Sequence, residues 1–538
     1  MKKIILVLFT VCAWMHSAKG QPANINLSLT SAFEGEPYLA VNPTNTNNIV
    51  VAWMADDAST GGRVTIKTKA SFDGGVTWGN AHNNPHFGAS WTSADVSMQF
   101  RKNGTLYLSY IDSHQSPDSG GVYITHSVNG GIAWSAPTRV WNGLTEDPGK
   151  LPIDRPWLAL DNSGGAHDGT LYMTTKPAPT IAPPNRPYLK MSADSGQTWT
   201  AYRYVDTVNH LVGNVIAAPM AAPNVAADGA LCCAYPSYLP SQSVYAKIVF
   251  AKSYCRGATF QYYDLAVNPT GLPTADSSFK AGYHLVTNPM NANQMAFVAV
   301  AANYGDPDIF VSTTNNGGLT WSGLVRVNDD TQGNGVGQDM PWGSYDRNNN
   351  LVIVWRDRRN GGGTGYSQNS DTYCAVSHDN GATFQPNIKL SNATAGFAAI
   401  LLQKGNDFMS CELVNDTICA AWGDTRNGYL NIFFAKASVN TGNVGGITVI
   451  NSEDEPEISI YPNPTKEQFF ISFKNKDLKQ ITLSIFDESG KLIYSKRTEN
   501  STEQTTVDIP KIAEGIYFVQ ATSENKVIYN QKLIVEKE

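Results

Sequence analysis

Ser71-Phe72-Asp73-Gly74-Gly75-Val76-Thr77-Trp78 is the stretch that decides the fold, because it returns. Copies run Ser127–Trp134, Ser192–Trp199, Thr314–Trp321 and Ser377–Phe384, following Ser/Thr-x-Asp/Asn-x-Gly-x-Thr-Trp/Phe with Ala133 in one Thr place. A weaker copy, Ser253–Phe260, carries Cys255 in the acidic place, and another opens at Ser438-Val439-Asn440 and then degenerates. Starts at 71, 127, 192, 253, 314, 377 and 438 recur roughly every 61 residues, the period of a repeat architecture. The turn has its own mechanics. An Asp or Asn carboxamide or carboxyl oxygen accepts backbone N–H groups, Gly supplies positive φ, and the aromatic residue anchors the hairpin in an apolar layer. Each box follows an apolar strand such as Asn48–Trp53, Thr105–Tyr110 or Leu351–Trp355, and further short strands lie upstream.

This pattern resembles the Asp-box, or BNR repeat, of sialidase-like β-propellers, over about residues 30 to 445. Four-stranded units arranged radially predict an all-β propeller of seven blades, six being the alternative, with Asn24–Leu29 able to supply a closing outer strand. The composition agrees: 16% charged and 42% hydrophobic residues with 46 Gly and 28 Pro describe a turn-rich β protein and exclude a coiled coil or a disordered chain. The 39 Lys+Arg against 46 Asp+Glu, without a basic run, remove the electrostatic basis for nucleic-acid binding.

The ends read as addresses. Lys2 and Lys3 precede an apolar run, Ile4–Trp14, that ends in small residues; residues 1–20 are a secretory signal peptide, and the run is too short for a transmembrane helix. No later segment is long and apolar enough either. After about Gly446 the charge density rises. Residues 447–457 read as a linker, and the alternating runs that follow predict a small immunoglobulin-like β-sandwich over 458–538. Its Tyr461-Pro462-Asn463-Pro464-Thr465 opening, Gly490–Tyr494 and Gly515–Val519 closely resemble the C-terminal sorting domain of the type IX secretion system of Bacteroidetes-type bacteria. That resemblance implies a cargo tag that engages the secretion machinery, and hence a secreted or surface-displayed protein. Cys232, Cys233, Cys255, Cys374, Cys411 and Cys419 cross an oxidising compartment. Cys411 with Cys419 across a hairpin, or Cys255 with Cys232 or Cys233, are the pairings to test, buried free thiols being the alternative.

In propellers of this kind ligands bind near the central channel, where the innermost strands begin and the next ones end. The residues to inspect are Glu36, Asp95, Asp154, Arg155, Asp339 and Trp342 on the entering side. On the leaving side are Asp56, Asp112, His114, Lys176, Tyr238, Asp306, Arg356, Asp357, Arg358, Arg359, Asp424 and Arg426. Arginines there suit a carboxylated or sulfated sugar, since a guanidinium forks onto a carboxylate, but Asp357–Arg359 and Asp424–Arg426 follow the repeat and also suit loop-locking ion pairs. Sialidase resemblance implies three arginines, a Tyr–Glu pair and an acidic proton donor; here Gly35-Glu36-Pro37 stands where the first arginine element belongs, so an exo-sialidase lacks that residue. A polysaccharide lyase on uronic-acid polymers would draw on His114, His210, His284, Tyr238 and Arg155. A binding module would use Trp53, Trp342, Trp355 and Trp422 as sugar platforms, unless they are core. The expectation is a propeller that binds or processes extracellular glycan or glycoprotein. No cofactor or metal motif is present, and a structural calcium has no sequence support.

Overall fold

Seven four-stranded antiparallel sheets follow one another along the chain. Their innermost strands are Glu34–Val41, Trp91–Phe100, Ile153–Leu160, Ala222–Val225, Tyr283–Thr287, Gln338–Tyr345 and Ser410–Val414, which open blades 1 to 7. Each inner strand packs beside the next and the seventh returns to the first, so the ring is closed and the protein is a seven-bladed β-propeller. The computed structural model describes residues 24–57, 61–84, 86–88, 90–114, 120–143, 145–150, 153–216, 218–243, 245–268, 282–398 and 406–439 of this part. In the C-terminal part it describes 458–461, 463–466, 468–473, 481–487, 491–498, 504–508, 513–523 and 526–536. The signal peptide, the 447–457 linker and the degenerate copy from Asn440 onward lie outside the described residues.

Blade 7 receives its fourth strand from the start of the chain: Ile25–Asn26 pairs antiparallel with Asn431–Ser438, Ile25 opposite Phe434. That pairing ties the two ends of the ring together and gives the blade its outer strand. Between blades the apolar faces of adjacent sheets meet. Trp53, Trp355 and Trp422 are buried in these walls, so they are core residues and do not present a platform to sugar.

The eight-residue turns form as their chemistry requires. In the first copy Ser71 Oγ donates to Asp73 Oδ1 (2.8 Å) and accepts the Gly75 amide (2.8 Å), while the Thr77 amide and hydroxyl donate to Asp73 at 2.9 and 2.5 Å. The Trp78 indole donates to Gly75 O at 3.2 Å. The Ser192 and Ser377 copies repeat the Ser–Asp–Thr bonds within about 0.1 Å. In the Ser253 copy the Cys255 sulfur accepts the Thr259 amide at 3.2 Å, doing the carboxylate's work. These bonds lower the Cys255 thiol to about 7.

The expected disulfides do not form: all six described cysteines are free. Register explains the first pair. Cys411 lies opposite Ala420 and Cys419 opposite Glu412, one residue out of step, so the two thiols face opposite sides of blade 7 and enter different core clusters. Cys255 is held in its exposed turn, whereas Cys232 and Cys233 are buried along Leu231–Ser237.

The chain divides into two compact units between Ile447 and Thr448. The second is a sandwich of a three-stranded sheet, Ile458–Tyr461, Gln468–Phe473 and Gln504–Asp508, and a four-stranded one, Leu492–Thr498, Ile481–Asp487, Gly515–Ser523 and Lys526–Val535. Phe469, Ile471, Leu483, Ile485, Val507, Val519 and Leu533 fill its interior. No helix among the described residues is long and apolar enough to cross a membrane.

Candidate active site at the channel mouth

Four inner strands break register at the same place, between Gly35 and Tyr38, Ala94 and Ser97, Asp154 and Trp157, and Asp339 and Trp342. At each bulge one residue takes a left-handed φ: Glu36 (54°), Asp95 (50°), Arg155 (57°) and Met340 (56°). None is glycine. Such backbone costs on the order of 1–3 kcal/mol at each position and persists where the surroundings enforce it, commonly at functional sites. Pro37, Pro156 and Pro341 follow three of the four and keep the preceding residue out of the right-handed helical region.

The bulges bring Glu36, Asp95 and Arg155 from blades 1, 2 and 3 into one cluster. Asp95 Oδ2 accepts the Arg155 amide at 3.1 Å. The Arg155 guanidinium pairs with Asp407, lies 4.0 Å from Glu36 Oε2, and sits over the Phe408 ring at 5.7 Å. The Asp407 amide donates to Glu36 Oε1 at 3.3 Å. Asp154 is clamped by Lys176 and bonded to Asp95.

Electrostatics divides the carboxyl groups. Burial and the neighbouring Asp154 charge push Asp95 well above the usual range, so the pair shares one proton and Asp95 holds it. Burial also raises Asp154, but the Asp95 hydrogen bond and the Lys176 and Arg155 charges outweigh it and hold its carboxyl at about 2. Burial lifts Glu36 to about 7 against the opposing Arg155 charge. Its Oε2 is buried without a hydrogen-bond partner, as are both polar atoms of Asn406, next to Asp407 in sequence.

Below this cluster the channel is filled by aromatic rings. Trp157 and Trp342 have centroids 5.4 Å apart, Phe408 stands 5.3 Å from Trp157, Tyr38 5.4 Å from Trp342, and His284 stacks on Trp342 at 3.9 Å. Trp342 is thus a plug residue. A shallow recess without room for a water molecule remains above, bounded by Asp95, Val96, Ser97, Arg155, Pro156, Trp157 and Phe408. Another groove of about 140 Å³ lies at the turn of blade 4, against Leu189, Arg203, Cys255 and Arg256. At the mouth, left-handed non-glycine residues from three adjacent blades coincide with the unpartnered atoms of Glu36 and Asn406, which places the site there.

The other expected residues do not join this cluster. Arg356 and Arg358 share Asp339, with Arg356 bonds of 2.8 and 2.6 Å, and both are buried. Arg359 bonds to Asp357 at 2.9 Å and to Asp329 at 2.5 Å, while Asp357 also accepts the Trp355 indole at 2.8 Å. Blade 7 repeats that lock: Arg426 to Asp424 at 2.5 Å, and the Trp422 indole to Asp424 at 2.9 Å. These are structural ion pairs of the blade loops. Asp112 holds His86 Nδ1 at 2.7 Å and the Phe87 amide at 2.8 Å. Asp306 accepts the Gly335 amide at 2.9 Å. His114 ends the second strand of blade 2 opposite Trp91, and Tyr238 follows that of blade 4, its amide on Val212 O. The Asp56 amide bonds Phe33 O. His210 stacks on Tyr262 at 4.8 Å, away from the mouth residues named above. His284 is buried, which lowers it to about 3 and keeps it neutral.

Sequence reading missed Asn406, Asp407, Phe408 and Glu412. All four belong to blade 7 or the segment leading into it, where no bulge motif marks them. Glu412 bonds Ser344 Oγ at 3.3 Å and is raised to about 7 by burial. Among the described residues no group of three or more His, Cys, Asp or Glu is arranged to hold a metal.

Residues 459–536 match the family described as "Secretion system C-terminal sorting domain". The chain therefore carries an export tag, engages the secretion machinery, and is secreted or attached to the cell surface. Among characterised proteins, an ulvan lyase of Nonlabens ulvanivorans is 29% identical over 86 residues, 16% of each chain. The chain thus spans only a small part of that relative's length, a stretch about as long as the sorting-domain match. Among solved structures, the α-L-arabinanase of Penicillium chrysogenum gives a TM-score of 0.42 at 13% identity, covering 66% of this chain and 98% of that one. The phage phi92 endosialidase gives 0.42 at 10% identity over 96% and 87%. A polysaccharide lyase of family PL25, an ulvan lyase, gives 0.36 at 8% over 69% and 82%.

Proposed function

We propose that this chain is an exported, carbohydrate-processing propeller of the sialidase-like Asp-box class, residues 21–446, followed by a linker and a type IX sorting domain over 458–538. Its site is the mouth formed by Glu36, Asp95, Asp154, Arg155, Lys176 and Asp407. The observation that carries this reading is the Asp95–Asp154 pair, a protonated carboxyl beside an ionised one, held on strained bulges at the rim of a recess. A carboxyl group kept protonated near neutral pH can protonate a glycosidic oxygen as it leaves, which is the general-acid half of glycoside cleavage. Asp154, clamped by Lys176, keeps the proton on Asp95. Arg155 orients the carboxyl groups.

An exo-sialidase of the usual kind is less well supported, because Arg356, Arg359 and Arg426 are each engaged by their own carboxylates. Ulvan lyases occur among the similar proteins, so lyase chemistry is the second reading. The test is mass spectrometry of products after incubating the purified protein with a panel of glycans. A product heavier by one water identifies a hydrolase; an unsaturated product identifies a lyase. Absence of any product together with measurable glycan binding would sink the catalytic reading and leave a binding module.

A further inference from the structure

We propose that the mouth accepts uncharged polysaccharide and discriminates against uronic-acid, sialic-acid and sulfated chains. The inference rests on the reading of the mouth as the site and adds the substrate class to it.

It starts from which charges face outward. Asp407 and Asp154 keep 30% and 20% of their side-chain surface exposed, against 16% for Arg155 and 5% for Lys176. Arg155 is the one guanidinium of the cluster, and four carboxyl groups surround it: Glu36, Asp95, Asp154 and Asp407. Its guanidinium is already paired with Asp407 and stands 4.0 Å from Glu36 Oε2, so an incoming carboxylate or sulfate would have to displace Asp407. It would also approach the part-exposed carboxylates of Asp154 and Asp407, whose own cations, Lys176 and Arg155, are more buried, and like charges brought together in a partly desolvated site repel. The remaining arginines of this face do not help. Arg356 and Arg358 are buried on Asp339, and Arg359 and Arg426 are locked on Asp357 and Asp424.

A second observation points to hydroxyl partners. Glu36 Oε2 and the Oδ1 and Nδ2 of Asn406 are buried polar atoms without a hydrogen-bond partner. Asn406 lies against Gly35, next to Glu36, since a Cβ on Gly35 would stand 3.5 Å from the Asn406 Cβ. Unpaired acceptors and a donor at one place call for a group that both donates and accepts. A sugar hydroxyl does both; a carboxylate or sulfate only accepts.

The test is titration calorimetry of the full exported chain with neutral oligosaccharides (arabinan, galactan and xyloglucan fragments) and anionic ones (oligogalacturonate, oligosialate and sulfated fragments). Neutral ligands should bind with less than a twofold change between low and high salt, and anionic ones at least tenfold more weakly. The double variant Glu36→Gln with Asp407→Asn frees Arg155 and should strengthen binding of the anionic set tenfold or more. Anionic ligands binding more tightly than neutral ones to the wild-type protein would overturn the charge inference alone. So would a folded double variant with no gain for the anionic set. If the variant does not fold, the wild-type comparison decides. Binding of neither set would overturn the site reading together with the inference.

Discussion

The turns and the mouth of the propeller are built by opposite rules. At the Ser71, Ser192 and Ser377 turns the serine, aspartate and threonine side chains close their bonds within eight residues of chain, and left-handed backbone falls mostly on glycine. At the mouth the left-handed residues are Glu36, Asp95, Arg155 and Met340, and partners come from other blades, as in Arg155 with Asp407. Buried polar atoms there are left unpaired. The first region stabilises the ring; the second spends some of that stability on chemistry. A region that is locally satisfied can recur from blade to blade, whereas one that depends on unlike residues from several blades occurs once.

The largest effect should come from Asp95→Asn. Asparagine tolerates the left-handed backbone, so the fold should survive while turnover of a processed glycan falls roughly 10²–10⁴-fold. An unchanged rate in a steady-state assay would remove Asp95 from the chemistry. Trp355→Ala acts on the other side of the comparison. It leaves a large cavity in a blade wall and removes the indole bond to Asp357, which Arg359 still holds, and should cost about 3–5 kcal/mol in urea unfolding without touching the mouth.

Next comes pH. Glu412 titrates near 7 in the folded protein because burial disfavours its charge, and near 4.5 when unfolded. The folded state therefore binds the extra proton between those values, and stability falls as pH rises from about 4.5 to 7. Glu412→Gln should remove that decline and be more stable than wild type at pH 8 by about 3 kcal/mol, with little difference at pH 4. Equal pH profiles in denaturant titrations would show that Glu412 stays hydrated. The smallest effects belong to single turns: Asp73→Ala should cost about 1–2 kcal/mol through its lost bonds to Thr77 and Val76. Cys255→Asp, which restores the turn's usual acceptor, should raise the melting temperature by a degree or two.

Much of this was legible in the chain itself. The eight-residue pattern marks six complete turns, and the apolar strands between them place the blade walls, including Trp53, Trp355 and Trp422. Glu36, Asp95, Asp154, Arg155 and Lys176 could be singled out because they start inner strands or end the next ones. What could not be read was which of these meet. The Asp357–Arg359 and Asp424–Arg426 locks follow the repeat and are readable in the sequence, but the hold of Asp339 on Arg356 and Arg358, 17 and 19 residues away, is not. Asp407 lies more than 250 residues beyond Arg155, in a segment without a repeat signature. The disulfide expectation failed on a one-residue register offset between Cys411 and Cys419, a quantity set by pairing across a hairpin.

The amino-acid sequence by itself determined the repeat, the export address and the sandwich that carries it, and left six or seven blades, because each depends on contacts made within a few residues or on hydrophobic periodicity. Only the tertiary structure decided the site. Closing the ring brings the starts of blades 1, 2 and 3 against the segment before blade 7. The protonation of Asp95, the saturation of Arg155 and the unpaired atoms of Glu36 and Asn406 all arise from burial and from charges that residues far apart in the chain place on one another.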